Sequence, residues 1–193
     1  MNKNDNELID GIFNHLRLKF DVEFTELEDF NPTDFSSFSH YVNLMVLKKI
    51  AIKRAGTGYL SFINSTSTEG KRGDIEHSDL QLWGSVKLKK DFGHVLIRPE
   101  NLSDKLLELV KPTEIDFPED KLFSQMFYVV ANDRQKAITG MNDAFRNVVA
   151  ELQEPDFVIE IIKDQLIIGI RKPASPQLAG QLYKFIVATA LLH

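Results

Sequence analysis

The sequence predicts an α+β fold: a mostly antiparallel sheet with helices packed on one face and a helix at the N-terminus. Two pairs of apolar runs are joined by short turns, Leu44–Arg54 with Tyr59–Ile63, and Phe157–Ile162 with Leu166–Arg171. Such hairpins imply antiparallel neighbours, because parallel strands need long crossovers. Runs of helical period stand at both ends and between the later strands, the pattern of helices covering one sheet face. With 193 residues the chain reads as one domain over 1–193. Residues 1–40 form an N-terminal helix and irregular segment, and 41–193 the α+β core.

Taken in order, Leu8, Ile9, Ile12, Phe13 and Leu16 share a helix face, with Asn4 or Asn6 as cap. Residues 26–39 read as irregular. Phe30, Phe35 and Phe38 suggest that this stretch packs down; left exposed, they would mark a partner surface. Leu44–Arg54 reads as a strand, and periodicity leaves a helix over Phe38–Ala55 open as the alternative. Asn64–Asp79 is polar, contains two glycines and reads as a long loop. Leu80–Lys89 alternates, and Asp91-Phe92-Gly93 turns into a strand over His94–Arg98.

Further on, Ser103 can cap a helix over Asp104–Val110. Pro118-Glu119-Asp120 reads as the first turn of a helix to about Ser124, before a strand over Met126–Val130. Asp133 can cap a helix from Arg134 whose apolar positions run through Ile138, Met141, Phe145, Val148 and Leu152. Gly140 weakens or kinks it. Ser175-Pro176 is an N-cap followed by proline at the first helical position, and Leu178, Leu182, Phe185 and Ile186 face inward from the last helix.

The chain has no cysteine, which excludes disulfides, thiolate metal sites and a cysteine nucleophile, and fits a reducing, cytoplasmic setting. No apolar run approaches the about 18 residues of a membrane-spanning helix. The start, MNKNDNELID, lacks the basic-then-apolar build of a secretory signal. The net charge is -5. Residues 1–40 hold nine acids and three bases, whereas 41–100 hold ten bases and six acids. An acidic chain is a poor binder of phosphate backbones, so no nucleic-acid partner is expected. The basic middle, including Lys48, Lys49, Lys53, Arg54 and Lys87, reads as a solvated sheet face or a local anion-binding patch.

No catalytic constellation is legible. Asp74-Ile75-Glu76-His77-Ser78-Asp79 is the densest ligand-type cluster. Alternate residues of an extended segment point to opposite faces, and no second cluster joins it, so no metal and no cofactor are expected. His15, His40, His77, His94 and His193 show no zinc-ligand spacing. There is no Gly-x-Ser-x-Gly elbow, and Gly56-Thr57-Gly58 lacks the ending of a phosphate loop. Trp83 beside Gly84 can line a groove in which glycine admits a partner's backbone. With His77 and His94 these two are the binding candidates. The expected function is a non-enzymatic binding or scaffold domain. The alternative is a hydrolase or transferase with a site near the 64–79 loop and His94.

From about Lys48 to Leu192 the order of motifs resembles a bacterial family of uncharacterised proteins, domain of unknown function 3137. The shared order is a basic strand punctuated by glycine (Lys49–Gly58), a polar loop (Tyr59–Thr68), Leu82-Trp83-Gly84, Phe92-Gly93-His94, and Leu96-Ile97-Arg98-Pro99. Then come the acidic turn Phe117-Pro118-Glu119-Asp120, Phe123, Phe127-Tyr128-Val129-Val130 and Asn132-Asp133. A helix, a hairpin and a closing helix finish both. The resemblance implies an α+β architecture in a bacterial protein, and a protein partner or membrane-associated complex. Many members carry N-terminal membrane spans, which this sequence does not show. The family offers no catalytic residue to transfer.

Overall fold

Leu44–Arg54 alternates in the pleated sense, and the chain follows that period rather than the helical one. The computed structural model describes residues 3–26, 30–69, 75–100, 112–152, 154–170 and 172–192. In chain order it contains α1 (Lys3–Arg17), β1 (Val22–Thr25), β2 (Asn43–Ile52), β3 (Gly58–Glu69), β4 (Ile75–Lys87), β5 (His94–Pro99) and β6 (Thr113–Glu114). There follow α2 (Lys121–Met126), β7 (Phe127–Ala131), α3 (Arg134–Gly140), α4 (Asp143–Ala150), β8 (Phe157–Ile162), β9 (Gln165–Ile170) and α5 (Pro176–Leu191). Among the described residues the strands form one nine-stranded antiparallel sheet in the order β1-β2-β3-β4-β9-β8-β5-β7-β6. The α+β class is as the hairpins predict. The late β8–β9 hairpin inserts between β4 and β5, so the turn at Asp91-Phe92-Gly93 joins strands that are not neighbours.

One sheet face is apolar and carries the helices. Ile50, Phe62, Leu82, Ile159, Leu166 and Ile168 point to this side and are fully buried. Ile9, Ile12 and Leu16 of α1 and Leu178, Leu182 and Ile186 of α5 pack in the same core. Each such side chain contributes about 1.5–3 kcal/mol by leaving water. Ser175 caps α5 by accepting from the Leu178 N–H at 3.2 Å, with Pro176 at the first position. Asp133 caps α3 through the Lys136 N–H at 3.0 Å. Arg146 of α4 is buried and binds the carboxylates of Asp120 and Asp143, which fixes the turn before α2 against α4.

Several expectations are corrected. Asn64–Asp79 is not a long loop: β3 and β4 pair from Tyr59↔Ser85 out to Glu69↔Ile75, and residues 70–74 lie outside the described ones. Serine and threonine alternate there, and threonine suits a pleated strand although the segment is polar. Asn4 and Asn6 lie inside α1 rather than capping it, because the helix begins a turn before its apolar face. Residues 1–40 also contain a strand, β1, whose Val-Glu-Phe-Thr is too short to declare itself by period. The helix after Pro118 starts later, at Lys121, because Asp120 is its cap and accepts from the Phe123 N–H at 3.1 Å. The helix from Arg134 is broken in two, and Asn142 caps the second piece. At Gly140 a side chain would lie 2.5 Å from the buried Phe92 ring. The helix expected over Asp104–Val110 lies outside the described residues.

Gly84 faces the helices. A Cβ there would meet Ile168 at 3.0 Å and Ile186 of α5 at 3.1 Å, so the close approach it permits is that of the chain's own helix. Replacing Gly84 by valine is expected to push α5 outward and cost about 2 kcal/mol of stability, the scale of overpacked cores. Urea denaturation checks this; unchanged stability would show that α5 does not depend on the missing side chain.

Candidate functional site

Among the described residues no α-helix covers the opposite sheet face. It is crossed by a strap of chain, residues 30–41, carrying two short 3-10 turns at Pro32–Asp34 and Ser36–Phe38. Phe35 and Phe38 are buried against Ile63, Trp83, Leu96, Val158 and Ile167. The three phenylalanines therefore pack down, with Phe30 half-buried beside Phe35. This face also holds most of the buried polar groups among the described residues. Ser37, Lys49, Ser61, Ser65, Ser85 and Glu160 belong to it, and Arg146 and Thr189 belong to the helix side.

Glu160 is the fixed point of the strap. It stands in the middle of β8 with no solvent exposure. One oxygen, Oε1, accepts from the Ser36 N–H at 2.9 Å, the Ser36 hydroxyl at 2.8 Å and His94 Nε2 at 2.6 Å. The other, Oε2, accepts from the Ser37 N–H at 2.8 Å and the Ser37 hydroxyl at 2.6 Å. Burial pushes this carboxyl's pKa up, and the hydrogen bonds from His94, Ser37 and Ser36 outweigh it, holding the value below the ordinary 4.5. The carboxylate can only accept, so the contact needs His94 to donate through Nε2. The strap's N–H groups and hydroxyls are thus spent on one anion.

Trp83 lies where the strap recrosses β4. Its ring stacks at a tilt on Phe38, centroids 4.3 Å apart, and its Nε1 donates to Gln81 Oε1 at 2.9 Å. Gln81 in turn donates to the Tyr41 hydroxyl. Gly169 sits directly across from Trp83, and a Cβ there would come within 2.6 Å of the indole. The tryptophan is buried between strap and sheet, and Gly84 beside it points to the other face. His77 is exposed on the outer part of β4. His94 lies in one row with Ile162, Gln165 and Lys87, so ten residues of strand separate its level from that of His77. At about 3.3 Å per residue this is about 33 Å along the sheet. The structure therefore does not bring His77 and His94 together. Asp74 lies outside the described residues, and the described residues assemble no group of three acids or histidines of the kind that holds a metal.

A cleft of about 500 Å³ opens beside the outgoing leg of the strap, at the strand ends. Lys49, Tyr59, Ser85, Lys87 and Gln165 line its floor, and Phe30 and Glu26 stand at the strap side. The cross-strand pairs Tyr59↔Ser85 and Lys87↔Gln165 place these side chains on one face. Lys49 is 5% exposed, and its Nζ lies 3.8 Å from the centre of the Tyr59 ring, a cation–π contact. A second groove of about 480 Å³ lies at the sheet edge where β9 ends and β4 continues, and it is lined from both faces, by Leu8 of α1 on the helix side and Gln81 on the strap side. Tyr41, Leu80, Ile170 and Pro173 are among its walls.

Glu160, Ser36, Ser37 and Tyr59 escaped the sequence reading, and Lys49 entered it only as part of a basic stretch. Glu160 had a signal: it is the one charge in the run Phe-Val-Ile-Glu-Ile-Ile, and a charge in a strand buried on both faces must find partners. Comparison with family models, curated proteins and solved structures returns no match for this chain.

Replacing Glu160 by alanine leaves four strap donors and His94 facing an apolar gap. The expected loss is about 3 kcal/mol, the scale of a broken buried pair. The wild-type chain also carries an acid limit. Its folded-state pKa at Glu160 is depressed, so the clamp contributes fully above the ordinary 4.5 and is lost as pH falls through the lower folded value. Denaturation curves between pH 7 and pH 3 for both proteins check this, with the difference between them shrinking towards the acid end. A constant difference across that range would contradict the assignment.

Proposed function

We propose that the chain is a non-enzymatic binding domain that receives its ligand on the strap face. The observation that carries this reading is the segregation of chemistry. Among the described residues most buried polar groups lie on the strap face, beside a cleft of about 500 Å³ lined by Lys49, Tyr59, Ser85, Lys87 and Gln165, whereas the helix side is mainly an apolar core. Burying a lysine and several serines carries a desolvation cost that their partners must offset and that apolar residues at the same places would not incur. Polar residues kept at such cost mark the places where a fold serves something other than itself. The one described pair of histidine with a buried carboxylate, His94 with Glu160, is engaged in holding the strap.

A hydrolase or transferase built on the 64–79 segment and His94 is the competing reading. Its groups lie on a hairpin and on a strand start far apart, which weighs against it. A protein partner or membrane-associated complex, as the family resemblance implies, is compatible with the cleft on the strap face. A cytoplasmic setting, which a cysteine-free chain fits, completes the proposal.

Native mass spectrometry of the chain purified without chelators, paired with a thermal-shift screen of small molecules, tests the proposal. A retained molecule, or a ligand at 100 times its Kd adding about 2.7 kcal/mol, is the expected result. Steady turnover of esters, phosphates or peptides that disappears in His94→Asn would overturn it.

A further inference from the structure

We infer that the flank of β4 beyond the end of β9 takes an extended segment of a partner polypeptide, which adds a strand to the sheet there. This flank lies apart from the strap-face cleft, and its occupant is additional to the ligand proposed above. β4 runs over Ile75–Lys87, yet β9 pairs with only Trp83–Lys87 of it. In an antiparallel strand alternate residues turn both N–H and C=O to the same side. The Leu88 N–H donates to the Asp164 carbonyl at 2.6 Å, and the Leu80 carbonyl accepts from the Ala174 N–H at 3.4 Å. The even-numbered residues of β4 therefore address the β9 side. Two residues before Leu80, Ser78 turns its N–H and C=O the same way, and among the described residues no strand runs beside it there. Such an open row of backbone groups is a template for one more strand.

The groove of about 480 Å³ at this flank supplies walls for the side chains of the added strand. A strand sends alternate side chains to opposite faces. On the helix side the walls are apolar, with Leu8 of α1, Leu80 and Ala174. On the strap side they are polar, with Tyr41 and Gln81. Gln81 donates to the Tyr41 hydroxyl, which leaves that hydroxyl its own proton to give to an occupant. The segment that fits alternates apolar and polar residues, the apolar ones turned toward Leu8. It continues the line of β9, so the existing ladder extends into it. Main-chain hydrogen bonds then give affinity, and the alternate walls give specificity. A compact small molecule would leave the backbone groups of Ser78 unused. A second copy of the chain fits less well. Pairing this flank with itself about Ser78 sets the copy's strand against Leu80, where Ala174 already stands.

The test uses the full chain and four short peptides in which threonine alternates with valine, leucine, phenylalanine or aspartate, each ending in lysine for solubility. An N-methylated copy of each keeps the side chains and loses the backbone donors. Each is titrated while amide NMR signals and amide exchange are followed. At least one apolar peptide is expected to shift the Ser78 and Leu80 signals and to slow exchange at Ser78 about tenfold or more. The aspartate peptide and the N-methylated copies are expected to bind at least about tenfold more weakly. Ser78→Pro removes the donor on the open flank and leaves the ladder to β3, which uses the odd-numbered residues, so binding is expected to fall about tenfold. Should that variant not fold, Leu8→Gln at the exposed groove wall is expected to weaken the apolar peptides about fivefold. Binding that survives N-methylation, shifts at Ser85 and Gln165 in place of Ser78, or no shift with any peptide would overturn the inference. So would a dimer of the chain that Ser78→Pro dissociates, since a second copy would then close this flank. Each of these results leaves the strap-face reading as it stands.

Discussion

A carboxylate with no access to water must be surrounded by donors, and Glu160 draws five of them from two separate parts of the chain. Four come from Ser36 and Ser37, more than 120 residues earlier, and one from His94 on the neighbouring strand β5. The strap has no ladder of its own with the strands it crosses. Its position is set by this anion and by the rings on either side of it. From there its outgoing leg borders the Lys49 cleft, and its return leg lays Phe38 on Trp83 and Tyr41 on Gln81.

The two faces divide the work of the fold. The larger apolar core is on the helix side, where apolar strand residues alternate inward and glycine at 84 lets α5 come close. On the strap side the same strands present serine, lysine, glutamate and tryptophan. The period of two in a strand makes this division possible, because neighbouring residues serve opposite faces. In β8, Ile159 and Ile161 enter the helix core while Val158, Glu160 and Ile162 face the strap. In β2, Ile50 lies in the core and Lys49 in the cleft.

Much of this was legible. The β8–β9 hairpin, the caps at Asp133 and Ser175, and the inward faces of α1 and α5 follow from local rules that use only nearby residues. The failures share a cause, which is dependence on distant partners. Strand order is one, since nothing near Phe92 reports that β8 and β9 come between β4 and β5. The polar hairpin of 64–69 and 75–79 is another, because β2 supports its inner half across the pairs Asn43↔Thr66 to Met45↔Asn64. The site was missed for the same reason. His94 was singled out for its type, but its partner stands 66 residues later and gave itself away only as a charge in an apolar run. Trp83 was singled out for its rarity, and burial under Phe38 explains it.

Amide hydrogen exchange at Ser36 and Ser37, compared between the wild-type chain and Glu160→Gln, tests most directly whether this carboxylate holds the strap. Glutamine keeps the shape and offers one acceptor oxygen in place of two. The expected result is strong protection of both amides in the wild type, lost at one or both in the variant, while amides of β8 and β9 stay protected. Equal protection of Ser36 and Ser37 in the two proteins would contradict the account and leave the strap to be held by its aromatic side chains alone.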